Sequence, residues 1–438
     1  MSPIRLTNTT ESSVAVLDRQ TDDNRLYGLD WLRAGAAVLV VTLHAGIAYL
    51  VARMPGLAWP THDPSGHPTV DAITWWINGF IMPLFFVQSG YLACQIMCAK
   101  GPEEFLKHRT RRLLAPFALG CVLILPLDLY AWLLGWAGEG KITLHKLRSL
   151  KIDSPLGDNL WGVSHLWFLQ YLWLFCLCAW GMWRVAEWQS GKVTKSPDGK
   201  VAESNGLKSR QSFGKVTVAL LGISTFALWW EPQLVIGFRH SWWPQLANLL
   251  FYAPWFTLGW LNFSSREAQG ERNSHRACEL RLLASLGMFA ILLPLIHQHV
   301  ADPLQGPARV VLATLFVTHA WLAVTGWFGV CLRWLNRQPP AAVKYIAEAS
   351  FWIYLFHHPV VGLTQVSLSQ APLPVAIRFL LTTLIGMVLP LLTYHAFVRQ
   401  TWIGVVLSGR RQTVLTEPDS SEILPFPQPE ARLLKKSA

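Results

Sequence analysis

Apolar residues run along this chain in long unbroken stretches, parted by short polar intervals, with no alternation of period two. Stretches fall at 31–52, 73–98, 113–134, 165–183, 216–230, 243–262, 282–297, 309–331, 346–367 and 374–398. A bilayer is crossed by about 20 predominantly apolar residues in a helix, and most of these runs reach that length. The fifth and seventh are shortest. Without strand-like alternation the runs predict helices and not barrel strands. The pattern therefore predicts an all-α polytopic membrane protein of about ten transmembrane helices, with both termini on one side.

The polar intervals sketch the rest of the organisation. Residues 1–30 read as a disordered leader, 31–400 as one membrane domain, 188–215 as a mobile linker rich in Ser, Lys and Gly, and 401–438 as a tail. The polar leader before the first apolar run does not have the form of a cleavable signal peptide. Only 14% of the 438 residues are charged and 52% are hydrophobic, whereas soluble domains carry roughly 25% charged residues. The net charge of +11 first raises nucleic acid or a membrane surface as a partner. Its distribution decides against nucleic acid. With the N-terminus inside, inner segments hold 28 Lys and Arg and outer loops hold six, as the positive-inside rule requires. Both termini are therefore expected on the cytoplasmic side.

Polar groups at membrane depth are costly and mostly functional or mutually paired. The first span carries Asp30 and Arg33 at its mouth, three residues apart on one face, and His44 about three turns further. By spacing alone His44 is either a working group or an imidazole bonded to a neighbouring helix. Arg109 and Arg112 share a face at the start of the third span. Two guanidiniums there make a fork for phosphate or carboxylate, or anchor a cytoplasmic helix end. His165 and Trp167 open the fourth span at the interface. His357, His358 and Pro359 interrupt the ninth, where proline frees a carbonyl; adjacent histidines face different ways, so one can line a cavity while its neighbour cannot. Asp128 and Glu231 lie near the outer face, within reach of water. His62, Asp63 and His67 lack the logic of a metal site, and no metal is expected. The seven cysteines sit in spans or inner loops, where pairing is not expected. By architecture alone, ten helices with a polar lining also suit a solute transporter.

Taken in order, the segments LDWLR with a histidine eleven residues past its arginine, MPLFFVQSGYL, RTRRLLAP, HLWFLQYLWL, FYAPWFTLGWL and ASFWIYLFHHP resemble acyltransferase family 3, over about residues 25–400. The resemblance implies a membrane enzyme that carries an acyl group from cytoplasmic acyl-CoA to a hydroxyl of an extracytoplasmic glycan or lipid-linked sugar. It implies His44 as the catalytic residue with Arg33 as its partner, and Arg109 and Arg112 on the donor. Trp167 matches the aromatic of the fourth-helix motif, and Asp30, Trp167, His357 and His358 are expected to be structural or to line the substrate path. The histidine would serve as general base or as covalent acyl carrier. Two positions depart from the pattern. Ile81 stands where relatives often carry arginine, and Gln88 where an apolar residue is usual. Without that cation a neutral acyl group such as acetyl is expected, succinyl remaining the other candidate.

Overall fold

The computed structural model describes residues 26–401 and 404, apart from 65, 151, 153–156, 158–159, 191–205, 240 and 265–274. The leader up to residue 25, the centre of the linker and nearly all of the tail lie outside the described residues. Ten long helices follow one another: α1 (Tyr27–Gly46), α2 (Pro68–Lys100), α3 (Pro102–Gly138), α4 (Trp167–Ser190), α5 (Gly206–Trp230), α6 (Leu246–Ser264), α7 (His275–Ala301), α8 (Gly306–Arg333), α9 (Ala341–Leu368) and α10 (Val375–Thr393). No strand occurs among the described residues. Each expected span coincides with one helix, and several helices run well beyond it. Of the 188–215 segment, α4 takes in the first residues up to Ser190 and α5 the stretch from Gly206.

Eight of the helices are long and apolar enough to cross a membrane. The other two, α6 and α9, carry more polar positions: Asn248 and Asn262 in one, Lys344, Glu348 and the histidine pair in the other. Both are tied into the bundle, α6 along α2 and α9 along α1. Part of that polarity has an internal cause, since Asn248, His357 and His358 line the cavity described below.

Burial sorts the helices into layers. In α1 and α2, 61% and 67% of the most apolar window is buried, against 17% and 22% in α5 and α7. The first two are therefore the inner helices. The outer ones present leucines such as Leu280, Leu283 and Leu286 outward, as a lipid-facing surface requires. With lipid outside, helices gain by close backbone approach more than by apolar burial. Such an approach occurs where α2 meets α6. A side chain at Gly90 would run into the Phe256 carbonyl, and one at Gly259 into that of Val87.

The loop after α1 is held by one buried carboxylate. Asp71 in α2 accepts from the backbone N–H groups of Val51 (2.8 Å) and Ala52 (3.2 Å), and its other oxygen lies 2.7 Å from His297 Nε2. This fixes the stretch leading to Trp59, which forms part of the site wall.

Candidate active site

A cavity of about 460 Å³ runs between α1, α2, α3, α4 and α9, and the segment joining α5 to α6 closes one side. At one end it is lined by Arg33, Arg109 and Arg112, further on by His44, His165, His357 and His358, and at the other end by Glu231, Arg239 and Trp243. Three arginines from two helices thus share one cavity with four histidines.

The histidines are set by backbone geometry. α1 gives way to a 3-10 turn at Ile47–Tyr49, and helix ends leave carbonyls without intrahelical partners. Gln365 of α9 supplies donors here, its Nε2 reaching the carbonyls of His44 (3.3 Å) and Ala45 (2.8 Å). Its Oε1 accepts from Trp59 Nε1 at 2.7 Å. The Trp59 ring lies parallel to the His44 imidazole, with centroids 6.0 Å apart.

His44 Nδ1 lies 2.8 Å from the Val40 carbonyl and 3.1 Å from His357 Nε2. His357 Nδ1 in turn faces the carbonyls of Ile353 (2.8 Å) and Tyr354 (2.9 Å). Carbonyls only accept, so the proton of neutral His357 sits on Nδ1 and its Nε2 is an acceptor. His44 Nδ1, facing two acceptors, must carry its own proton. The lone pair of neutral His44 is therefore on Nε2, for which no hydrogen-bond partner exists among the described residues.

A second buried layer stands behind the first. His358 Nδ1 donates to Asp128 Oδ1 (3.0 Å), and the Ser164 hydroxyl donates to Oδ2 (3.2 Å). His165 Nδ1 approaches Oδ2 at 3.4 Å, while its Nε2 donates to the Leu355 carbonyl at 3.2 Å. Leu355 is four residues before Pro359, so this is the carbonyl that the proline leaves without an N–H. Ser164 has φ +47, a left-handed conformation uncommon for a residue other than glycine. Strain of this kind collects at functional sites.

Several sequence expectations change here. Asp128 does not reach water: it is 4% exposed, inside α3, and accepts from His358 and Ser164 with His165 close by. Its position within a long apolar run was the available signal. His357 and His358 both line the cavity, each with its ring centroid 4.9 Å from that of His44. A step of one residue turns a helix by 100°, which a ring inserted between two side chains can bridge. Arg33 does not touch His44. At about 1.5 Å per residue it lies roughly 16 Å down α1, where it bonds Ser350 Oγ (3.2 Å) and faces Asp30 (3.8 Å). It shares the cavity end of Arg109 and Arg112 instead. Ile81 is fully buried in the core and absent from the cavity wall, whereas Gln88 lines it. The inference from Ile81 to acyl preference therefore loses its footing: that side chain does not face the path.

Arg109 is 7% exposed, and its Nε and Nη2 have no hydrogen-bond partner. Trp167 lines the cavity and packs on Tyr252 and Phe86. The histidines and acids of the first loop take structural roles. His67 Nδ1 caps α2, Asp63 pairs with Arg378 (2.7 Å), and the His62 N–H donates to Glu139 (3.1 Å). The group with metal-ligand spacing among the described residues is Asp128, His165 and His358, whose donor atoms lie within 4.8 Å of one another. The carboxylate already accepts from His358 Nδ1 and the Ser164 hydroxyl, whereas His165 Nδ1, 3.4 Å away, has no hydrogen-bond partner among the described residues. All seven cysteines are free thiols.

The described residues thus form a polytopic helical bundle around a histidine-lined chamber, with one buried arginine, Arg109, holding two unpartnered nitrogens at one end. Residues 26–395 match the sequence model of the family described as "Acyltransferase domain", and the chain belongs to that family as a membrane O-acyltransferase. It is similar to glucans biosynthesis protein C of Salmonella typhi and of Salmonella typhimurium, 26% identical to each over 394 residues. It is also similar to that of Salmonella schwarzengrund, at 25%. Each alignment covers 88% of this chain and 95% of the relative. No solved structure matches. Family membership decides against the transporter reading.

Proposed function

We propose that this enzyme takes a short acyl group, acetyl or succinyl, from acyl-CoA and transfers it to a hydroxyl of a glycan or lipid-linked sugar on the far side of the cytoplasmic membrane. Both termini are then cytoplasmic, as the lysine and arginine distribution indicates. The observation that carries the reading is the single cavity joining Arg109 to His44. A buried guanidinium with two unpartnered nitrogens needs an anion, because an unpaired buried charge is among the costliest features a protein can hold. The phosphates of coenzyme A supply that anion, and Arg112 and Arg33 complete the clamp. The pantetheine arm then follows the apolar wall of Val40, Leu92 and Phe85 towards His44.

At His44 the free Nε2 removes the proton of the acceptor hydroxyl. The oxygen attacks the thioester carbonyl, the carbon–sulfur bond breaks, and coenzyme A leaves as a thiolate that takes up a proton. The product is an ester. Attack by His44 Nε2 on the thioester, giving an acyl-histidine that the hydroxyl then resolves, uses the same lone pair. His357 holds the tautomer in either route.

The test is transfer of labelled acyl groups from acetyl-CoA and succinyl-CoA, in competition, in membranes carrying wild type or His44→Ala. Loss of ester formation at unchanged protein level is expected. Turnover of His44→Ala above a tenth of wild type would sink the assignment. The labelled product identifies the acyl group.

A further inference from the structure

The two ends of the cavity differ in chemistry. The end at Arg33, Arg109 and Arg112 has three cations and no lining carboxylate, whereas the other has Glu231, Gln233, Gln245 and Trp243 with Arg239. All five lie on one connecting segment, residues 231–245, whose backbone is tied down at several described positions. Asn78 Nδ2 donates to the Val235 carbonyl (2.9 Å), Gln170 Nε2 to that of Trp242 (3.0 Å), and the Gln245 N–H to Tyr171 OH (2.6 Å). The Phe238 N–H donates to the Pro55 carbonyl at 2.9 Å. Ser241 Oγ clamps Trp243 itself, donating to its carbonyl (2.8 Å) and accepting from its N–H (3.1 Å).

The backbone is fixed but the side chains are left open. Among the described residues, the Glu231 carboxylate and the Gln233 and Gln245 amides have no hydrogen-bond partner, and the Trp243 ring is 81% exposed. A flat aromatic face sharing a cavity wall with a carboxylate and two amides matches one ligand class. A sugar ring offers C–H groups on its face and hydroxyls around its edge, so the face packs on the indole while the hydroxyls donate to Glu231 and bond the amides. One carboxylate beside one arginine leaves this end near neutral, unlike the donor end.

We infer that the mouth formed by Glu231, Gln233, Trp243 and Gln245 is a saccharide subsite that seats the neutral sugar ring of the acceptor, with its reacting hydroxyl directed to His44. The inference rests on the acyl-transfer reading and adds the residues that seat the acceptor. Arg239, in the same wall, lies outside the recognition set.

The experiment uses the full chain in lipid nanodiscs, with a six-residue gluco-oligosaccharide as acceptor and acetyl-CoA and succinyl-CoA as donors. Acceptor binding is measured by calorimetry, independently of turnover, and half-saturation for acceptor and donor kinetically. Trp243→Leu keeps an apolar side chain for lipid but removes the flat face; Trp243→Phe keeps both. We expect Trp243→Leu and Glu231→Ala each to weaken acceptor binding about tenfold, hydrogen bonds to charged groups being worth at least that. Trp243→Phe should stay within threefold of wild type, and donor half-saturation should not move in any variant. Acceptor binding unchanged in Trp243→Leu, or a Phe variant as weak as the Leu variant, overturns the subsite. So does a wild type that binds no oligosaccharide while still consuming acyl-CoA through His44. Absence of any His44-dependent use of acyl-CoA, with oligosaccharide binding intact, removes the acyl-transfer reading and leaves the subsite standing.

Discussion

His44 Nδ1 and His357 Nε2 lie 3.1 Å apart, joining residues 313 positions distant in the chain through their ring nitrogens. Two backbone carbonyls behind His357 make it an acceptor, and this directs the His44 proton away from the cavity. His357 is thus a positioning residue: it sets which nitrogen of His44 is basic. Replacing it with Phe should lower turnover about a hundredfold or more, within the range that a positioned general base contributes. Donor half-saturation should hold within twofold. A His357→Phe enzyme with near-normal turnover would show that Val40 alone holds the tautomer.

Asp128 binds the second layer, and its removal orphans buried groups. Asp128→Ala leaves His358 Nδ1 and the Ser164 hydroxyl without an acceptor. At about 1–3 kcal/mol for each unsatisfied buried group, the variant should melt several degrees lower. Asp128→Asn, which keeps one oxygen, should fold better yet lose most turnover. The same triad answers a metal question. Because His358 and Ser164 already bond the carboxylate, treatment with a chelator and dialysis should leave both melting temperature and activity unchanged. Loss of either, restored by a divalent ion, would instead make the triad a metal site.

Arg109 and Arg112 distinguish a phosphate clamp from a topology anchor. Lysine preserves charge but not the planar fork of donors. Arg109→Lys together with Arg112→Lys should raise the acyl-CoA concentration for half-maximal rate at least tenfold. Topology mapped by cysteine labelling should not change. Unaltered donor dependence would reassign the pair to anchoring.

Outside the spans, His62 links stability to pH. Burial and the nearby Arg53 and Lys141 charges lower its pKa to about 4, below the unfolded value of about 6.5. Between those values the unfolded chain holds more protons, so stability rises with pH. The contribution is complete above pH 6.5 and is lost as pH falls towards 4. Melting temperature in detergent should drop across that window, and His62→Gln should flatten the drop. An identical profile in the variant would place the titration elsewhere.

Ile81 shows what register alone leaves open. Its place beside Met82 and Pro83 points to the reaction path, yet Met82 lines the cavity while Ile81 is packed against the core. Ile81→Arg should therefore destabilise the protein instead of altering acyl choice. An abundant, folded Ile81→Arg enzyme with a new preference for succinyl-CoA would contradict this.

Helix number, helix type and the residues worth watching were legible in the chain itself, because lipid imposes length and polarity on every span locally. Ten apolar runs need no tertiary knowledge to read, nor does the cost of His44, Arg109 or the His357–His358 pair at depth. What packing alone decided was partnership. The register between α1 and α9 brings His357 to His44 and leaves Arg33 with Ser350 near the far end of α1. The proline in α9 frees one particular carbonyl, and only the fold places His165 against it. Asp128 reads as a residue near water until α3 is packed on α9, when its carboxylate becomes the shared acceptor of a buried network. Spacing along a helix reports which side chains share a face. Which neighbour that face meets depends on contacts hundreds of residues away, and those are settled by close packing of the whole bundle.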